Sequence, residues 1–158
     1  MNSETTATLR PVAESAGLAR SLVERTLRAW DCVELVEDAL IVASELVANV
    51  VRHARTEARL NIRRDPSSIR IAVFDTSPRP AVVREVRDPM IGDGGRGLVI
   101  VRELSSRWGV DHHDGGKTVW ADLRDPRLSR PSGVSSSVAD REHVDEPGDL
   151  EDAADGVL

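Results

Sequence analysis

A long apolar run over residues 38–54, broken by polar residues at helical spacing, constrains the fold more than any other sequence feature. Glu45, Asn49 and Arg52 recur at intervals that place them on one face of a helix, while apolar side chains occupy the remaining surface. The run therefore predicts a largely buried helix over residues 34–54 with a single polar stripe.

The polar stripe has two interpretations. A carboxylate one helical turn before a carboxamide provides a general base, in Glu45, and an oxygen ligand for a hard cation such as Mg2+, in Asn49. The simpler interpretation is an amphipathic helix whose Glu45 and Arg52 face water. The helix taken alone favours the simpler interpretation, but two further motifs downstream favour the chemical one.

The first downstream motif is an alternating segment, residues 68–74, that predicts a strand ending at Asp75. A carboxylate at the end of a strand can accept a hydrogen bond from the exocyclic amine of adenine. The alternative is an ordinary aspartate that begins a turn through local hydrogen bonds to the backbone.

The second downstream motif is a glycine-rich segment, residues 92–97, directly before a predicted helix over residues 98–104. Glycines allow backbone N–H groups to approach an anion closely, and the start of a helix adds the positive end of its dipole. The segment predicts a phosphate-binding loop, with a flexible surface loop as the alternative.

The periodicity predicts a two-layer α+β sandwich, with helices on one face of a mostly antiparallel sheet. The interval over residues 77–94 is long for a simple connection and is typical of a lid. The predicted helices cover residues 17–30, 34–54 and 98–104, and the predicted strands cover residues 5–11, 58–63, 69–74, 108–112 and 118–123.

Charge divides the chain into a domain at residues 1–124 and an acidic tail at residues 125–158, which carries the whole net charge of −6. The balanced domain predicts no nucleic-acid binding, and the polar tail is expected to be disordered and solubilising, or else to bind a partner or inhibit the domain. No signal peptide or apolar stretch of spanning length is present, so the sequence predicts a cytoplasmic protein without a membrane contact. The one cysteine, Cys32, is expected to be structural.

The three motifs in this order resemble those of the GHKL (Bergerat-fold) ATPases, and particularly the single-domain anti-sigma-factor serine kinases and their ATP-binding regulatory relatives. Residues 45–54 resemble the N box, Asp75 the key residue of the first Gly box, residues 95–98 the second Gly box, and residues 116–120 the last strand of the adenine site.

The resemblance implies that the ligands are ATP and Mg2+. It implies that Glu45 is the general base that activates an attacking hydroxyl and that Asn49 is a ligand of Mg2+. The remaining nucleotide-binding residues would be Asp75 at the adenine amine, Gly95 and Gly97 at the phosphates, and Thr118 closing the adenine pocket.

The same resemblance implies a protein serine kinase, commonly a homodimer, whose partners are a sigma factor and an anti-sigma-factor antagonist. A non-catalytic ATP-binding or partner-binding module is the first alternative, because residues 76–80 replace the glycines of the family pattern D-x-G-x-G. A detached histidine-kinase catalytic domain is the second, but none of the four histidines is placed as a phosphoacceptor on a dimerisation helix.

Overall fold

The computed structural model describes residues 3–79, 97–125 and 127. Five antiparallel strands form one sheet in the order β1-β2-β3-β5-β4, and the helices cover one of its faces, which confirms the predicted α+β class. The elements are β1 (Ser3–Leu9), α1 (Glu14–Ala29), a 3-10 turn (Val33–Leu35), α2 (Val36–Asn49), a π turn (Val50–Ala54), β2 (Ala58–Asp65), β3 (Ser68–Asp75), α3 (Gly97–Leu104), β4 (Arg107–His113) and β5 (Gly116–Arg124).

The helix-facing side of the sheet is apolar because alternate residues of each strand point to the same side. Along β3, Ile69, Ile71 and Val73 are buried, and so are all their partners on β5 and the β2 partners of Ile71 and Val73. α1 and α2 pack against each other over this surface, and α2 also contacts β3 and β5. The core therefore lies between the sheet and the α1–α2 pair.

The predicted hairpins form, but β5 begins earlier than the sequence indicates. The turn at residues 65–68 joins β2 to β3 as expected, and Gly115 takes a φ of +93° in the turn between β4 and β5. β5 starts at Gly116, whereas the predicted strand starts at residue 118. Lys117 consequently lies within the sheet, paired with Asp75 of β3.

The helix predicted over residues 34–54 is divided into three parts. A 3-10 turn precedes α2, and after Asn49 the chain continues as a π turn that is closed by the Arg55 N–H donating to the Val50 carbonyl at 2.8 Å. Arg55 then ends the segment in the left-handed region, with φ of 54°. Single π turns inside helices are frequent at functional sites.

The open face of the sheet carries polar and aromatic side chains. Arg70 of β3 donates two hydrogen bonds to the Asp122 carboxylate of β5, at 2.7 and 2.8 Å, and its guanidinium lies 4.1 Å from the ring centre of Trp120. The bonds to Asp122 raise the pKa of Arg70. They tie β3 to β5 on the face opposite the helices.

None of the helices in the described ranges is long and apolar enough to cross a membrane. The tail predicted to be disordered lies, apart from Asp125 and Arg127, outside the described residues. Those two residues contact the domain: Asp125 is buried, and Arg127 donates to the Asp31 carbonyl at 2.6 Å and pairs with Glu34 at 2.9 Å. The division at residue 124 stays a prediction, but these contacts favour a domain that extends through residue 127.

We predict that two truncations will differ in stability. A chain ending at residue 127 should keep the melting temperature of the full-length protein. A chain ending at residue 124 should melt about 2–4 °C lower, because it loses the contacts of Asp125 and Arg127. Differential scanning calorimetry measures both, and equal melting temperatures for the two truncations would contradict the extended boundary.

Cys32 lies in the connection between α1 and α2 and is fully buried, with its Sγ donating to the Trp30 carbonyl at 3.4 Å. Burial raises the pKa of the Cys32 thiol, although the nearby Arg64 opposes this shift. The thiolate is the reactive form, so both burial and the raised pKa make the native thiol inert.

We predict that a thiol reagent such as iodoacetamide will modify native Cys32 about 100-fold or more slowly than the urea-unfolded chain. The raised pKa also means that the folded state keeps the thiol proton to a higher pH than the unfolded state does. The free energy of unfolding should therefore fall as the pH rises from about 8.5 through the folded-state pKa, and Cys32→Ala should lose this dependence. Equal alkylation rates in native and unfolded protein would contradict the buried position.

Candidate functional site

The strand-end aspartate and the predicted last strand of the adenine site meet at one end of the sheet, where β3 ends at Asp75 and β5 begins at Gly116; we call this the motif end. Ala58, the first residue of β2, pairs with Asp75, and only the short segment 55–57 separates it from the π turn that follows α2. The C-terminal end of α2, with Asn49, is thereby brought to the same end of the molecule.

Asp75 is a buried carboxylate with two donors. Lys117 donates from Nζ to Asp75 Oδ1 at 2.8 Å, and the Ser77 N–H donates to the same oxygen at 2.9 Å. Only 3% of the Asp75 side chain and 6% of the Lys117 side chain are exposed. Charged side chains are seldom buried this deeply unless they are paired, so the ion pair is what allows both charges at this position.

The alternative interpretation of Asp75 as the first residue of a turn describes a real part of its geometry. The bond from the Ser77 N–H is an aspartate turn, and the Ser77 hydroxyl in turn accepts from the Arg79 N–H at 3.2 Å. Asp75 therefore holds its own turn while also facing Lys117. The hydrogen bonds from Lys117 and from the Ser77 N–H both end on Oδ1, so neither of them uses Oδ2.

Gly116 lets β5 approach the end of β3 closely. A Cβ at this position would clash with the backbone oxygen of Asp75 and with the ring of Phe74. Only glycine fits without displacing the strand end, so Gly116 fixes the start of β5 and sets Lys117 beside Asp75.

Glu45 lies against the first residue of α3. A Cβ on Gly97 would collide with Glu45 Oε2, so the carboxylate and the start of α3 are in direct proximity. Arg52 reaches Glu45 Oε2 at 3.9 Å, and 26% of the Glu45 side chain stays exposed. The carboxylate thus lies at the positive end of a helix, next to a cation, and retains access to solvent.

Asn49 is the last residue of α2 and is half-buried. Its carboxamide oxygen suits a cation such as Mg2+, but the described residues contain no group of three or more His, Cys, Asp or Glu able to hold a metal ion. Mg2+ commonly takes one or two protein oxygens and completes its shell with phosphates and water, which fits a site built on Asn49. Asp75 fits adenine because it is a buried acceptor.

Thr118 is not brought to Asp75. It pairs with Phe74 in the β3–β5 register, so its side chain lies on the open face, where its hydroxyl is 2.9 Å from His113 Nε2. Lys117, and not Thr118, lies on the helix-facing side of β5 beside Asp75. Gly95 lies outside the described residues, as does most of the predicted lid.

Comparisons with known proteins agree with this fold. The histidine kinase-like ATPase domain family matches residues 4–123. The crystal structure of the RsbU and RsbW domains of Rv1364c from Mycobacterium tuberculosis superposes with a TM-score of 0.52 at 18% identity, over 77% of this chain and 32% of that one, a likeness of fold. The chain thus spans about a third of that protein's length, and the comparison with curated proteins gave no match. The chain belongs to the histidine kinase-like ATPase domain family, whose nucleotide is ATP.

We predict that Asp75→Ala will lower the free energy of unfolding by about 3–5 kcal/mol, because it leaves the Lys117 ammonium buried without its partner. Asp75→Asn should cost less, since the amide oxygen still accepts from Ser77. Asp111→Ala, on the exposed edge strand, should change stability by about 0.5 kcal/mol or less. Urea unfolding followed by tryptophan fluorescence provides the measurement, and an unchanged midpoint for Asp75→Ala would contradict the ion pair.

Proposed function

We propose that this protein is a cytoplasmic ATP-binding regulator with serine kinase activity toward an anti-sigma-factor antagonist, and that it also binds a sigma factor. The observation that carries the proposal is the position of Glu45, held against Gly97 at the start of α3 with its carboxylate still accessible. A carboxylate beside a helix start that can bind phosphate is where a general base for phosphoryl transfer is needed.

The proposed reaction divides its tasks among four residues. Asp75 accepts the adenine amine, and Gly97 brings the positive end of α3 toward the phosphates. Glu45 takes the proton of the substrate serine as the serine oxygen bonds to the γ-phosphorus and the bond to the β–γ bridging oxygen breaks, releasing ADP. Asn49 would hold Mg2+, which would supply positive charge to neutralise the phosphates.

The partners follow from the resemblance to anti-sigma-factor kinases, and the likeness to a protein that contains an RsbW domain supports the same class. A homodimer is proposed on the same ground. The described part of the chain leaves one face of the sheet without helices, so surface for protein contacts is present.

A binding module without phosphotransfer is the second candidate, and a specific observation favours it. Ser77 and Arg79 stand where the family pattern D-x-G-x-G has glycines, and the turn is fixed by Ser77, which is buried and bonded to Asp75. A fixed turn at this point reduces the freedom of the following segment to move between nucleotide-bound states. Such a protein would bind ATP and its partner without turnover.

We predict that Glu45→Gln will lower phosphotransfer by about 10²–10⁴-fold while leaving the Kd for Mg2+-ATP within about twofold of wild type. Glutamine keeps the shape beside Gly97 but cannot take the proton. Asn49→Ala should instead weaken Mg2+-ATP binding, because the cation loses its protein ligand. Radiolabelled ATP with candidate antagonists measures transfer, and calorimetry measures binding.

Glu103→Gln, on the exposed side of α3, is the matched control and should behave as wild type in both assays. If wild-type protein binds ATP and captures a sigma factor but phosphorylates no antagonist, the binding module is correct. If Glu45→Gln and Asn49→Ala both bind Mg2+-ATP and transfer phosphate normally, the site assignment is wrong.

A further inference from the structure

Lys117 has hydrogen-bonding capacity that the described residues around it do not use. An ammonium carries three N–H donors. Among the described residues, only Asp75 receives one of them, although 94% of the Lys117 side chain is out of contact with water, given its 6% exposure. Buried donors are normally satisfied, so the remaining donors of Lys117 are expected to have partners beyond the described residues, and a bound ligand can supply them.

Asp75 supplies the complementary acceptor. Lys117 and Ser77 both donate to Oδ1, so Oδ2 is the oxygen that these contacts leave for a further donor. The side chains together form a donor and an acceptor next to each other. A ligand that matches this pair must present an acceptor and a donor side by side on one edge.

The pair is held in place before any ligand arrives. Ser77 anchors the carboxylate from one side, and the close approach of Gly116 to the Asp75 backbone fixes the strand that carries Lys117. Val119, the next helix-facing residue of β5, is buried in the core. A donor and acceptor fixed in this way bind without a large loss of side-chain entropy.

We propose that Lys117 is a base-recognition residue that donates to N1 of adenine while Asp75 Oδ2 accepts from the 6-amino group. N1 and the 6-amino group are neighbours on the same edge of the base, an acceptor beside a donor. The assignment rests on the proposed binding of ATP. It deepens that function by making the edge of adenine the target of an ion pair rather than of a single carboxylate.

The test compares ADP with 1-deaza-ADP, which keeps the 6-amino group but has C–H in place of N1. Wild-type protein should bind 1-deaza-ADP about 10- to 100-fold more weakly, as expected for a lost hydrogen bond to a charged donor. Lys117→Met should bind both with affinities within about twofold of each other. The ratio within one protein cancels any general weakening caused by the unpaired Asp75.

Arg124→Met is the matched control, because it removes an exposed cation from the far end of the same strand and should keep the wild-type ratio. A second measurement covers the case in which Lys117→Met fails to fold. Lys117 is the only lysine in the sequence, so protein labelled with [15N]lysine gives a single side-chain ammonium signal. ADP should shift this signal, and 1-deaza-ADP should shift it much less.

The outcomes separate the two levels of the proposal. Equal affinity of wild-type protein for ADP and 1-deaza-ADP, or equal shifts of the lysine signal, would overturn the Lys117 contact and leave ATP binding intact. Failure of wild-type protein to bind either nucleotide would overturn the proposed function, and the role of Lys117 with it.

Discussion

The buried ion pair between Asp75 and Lys117 is the interaction on which the motif end depends. It joins β3 to β5 on the helix face, while Arg70 and Asp122 join the same two strands on the open face. Removing two charges from water costs much of what their attraction returns, so the pair adds little net stability. The pair instead fixes how the two strands align. Losing either partner would leave a buried charge without its counter-charge, and the native strand register is the one that pairs the two charges.

The helix layer brings Glu45 and the start of α3 next to each other. The start of α3 lies against Glu45 because Gly97 has no side chain there, and the π turn after Asn49 ends α2 shortly before the chain enters β2. A side chain at Gly97 would meet the end of the Glu45 side chain, so the carboxylate would have to move away from the helix start. Glycine at this position is therefore what allows the carboxylate to lie against α3.

The sequence predicted the fold class and the Glu45–Asn49 stripe because both depend on local periodicity, which one segment contains in full. It missed Lys117 because the partner of Asp75 depends on strand register, which the segment does not contain. The resemblance implied Thr118 at the adenine pocket, but Thr118 lies one residue after Lys117 in the strand and therefore faces the opposite side of the sheet. One signal was present: Lys117 is in phase with the buried positions 119, 121 and 123, as Asp75 is with 69, 71 and 73.

The turn after Asp75 bears on whether the protein turns over ATP. In the family pattern, glycines after the aspartate leave the backbone free, whereas here Ser77 is buried and bonded to the carboxylate. The same oxygen accepts from Lys117, so one carboxylate oxygen fixes both the turn and the strand beside it. A nucleotide bound to Oδ2, as proposed, would leave both bonds intact. The proposed roles are thus divided between the two layers of the domain: recognition of the base rests with the sheet, whereas Glu45 and Gly97 belong to the helix layer.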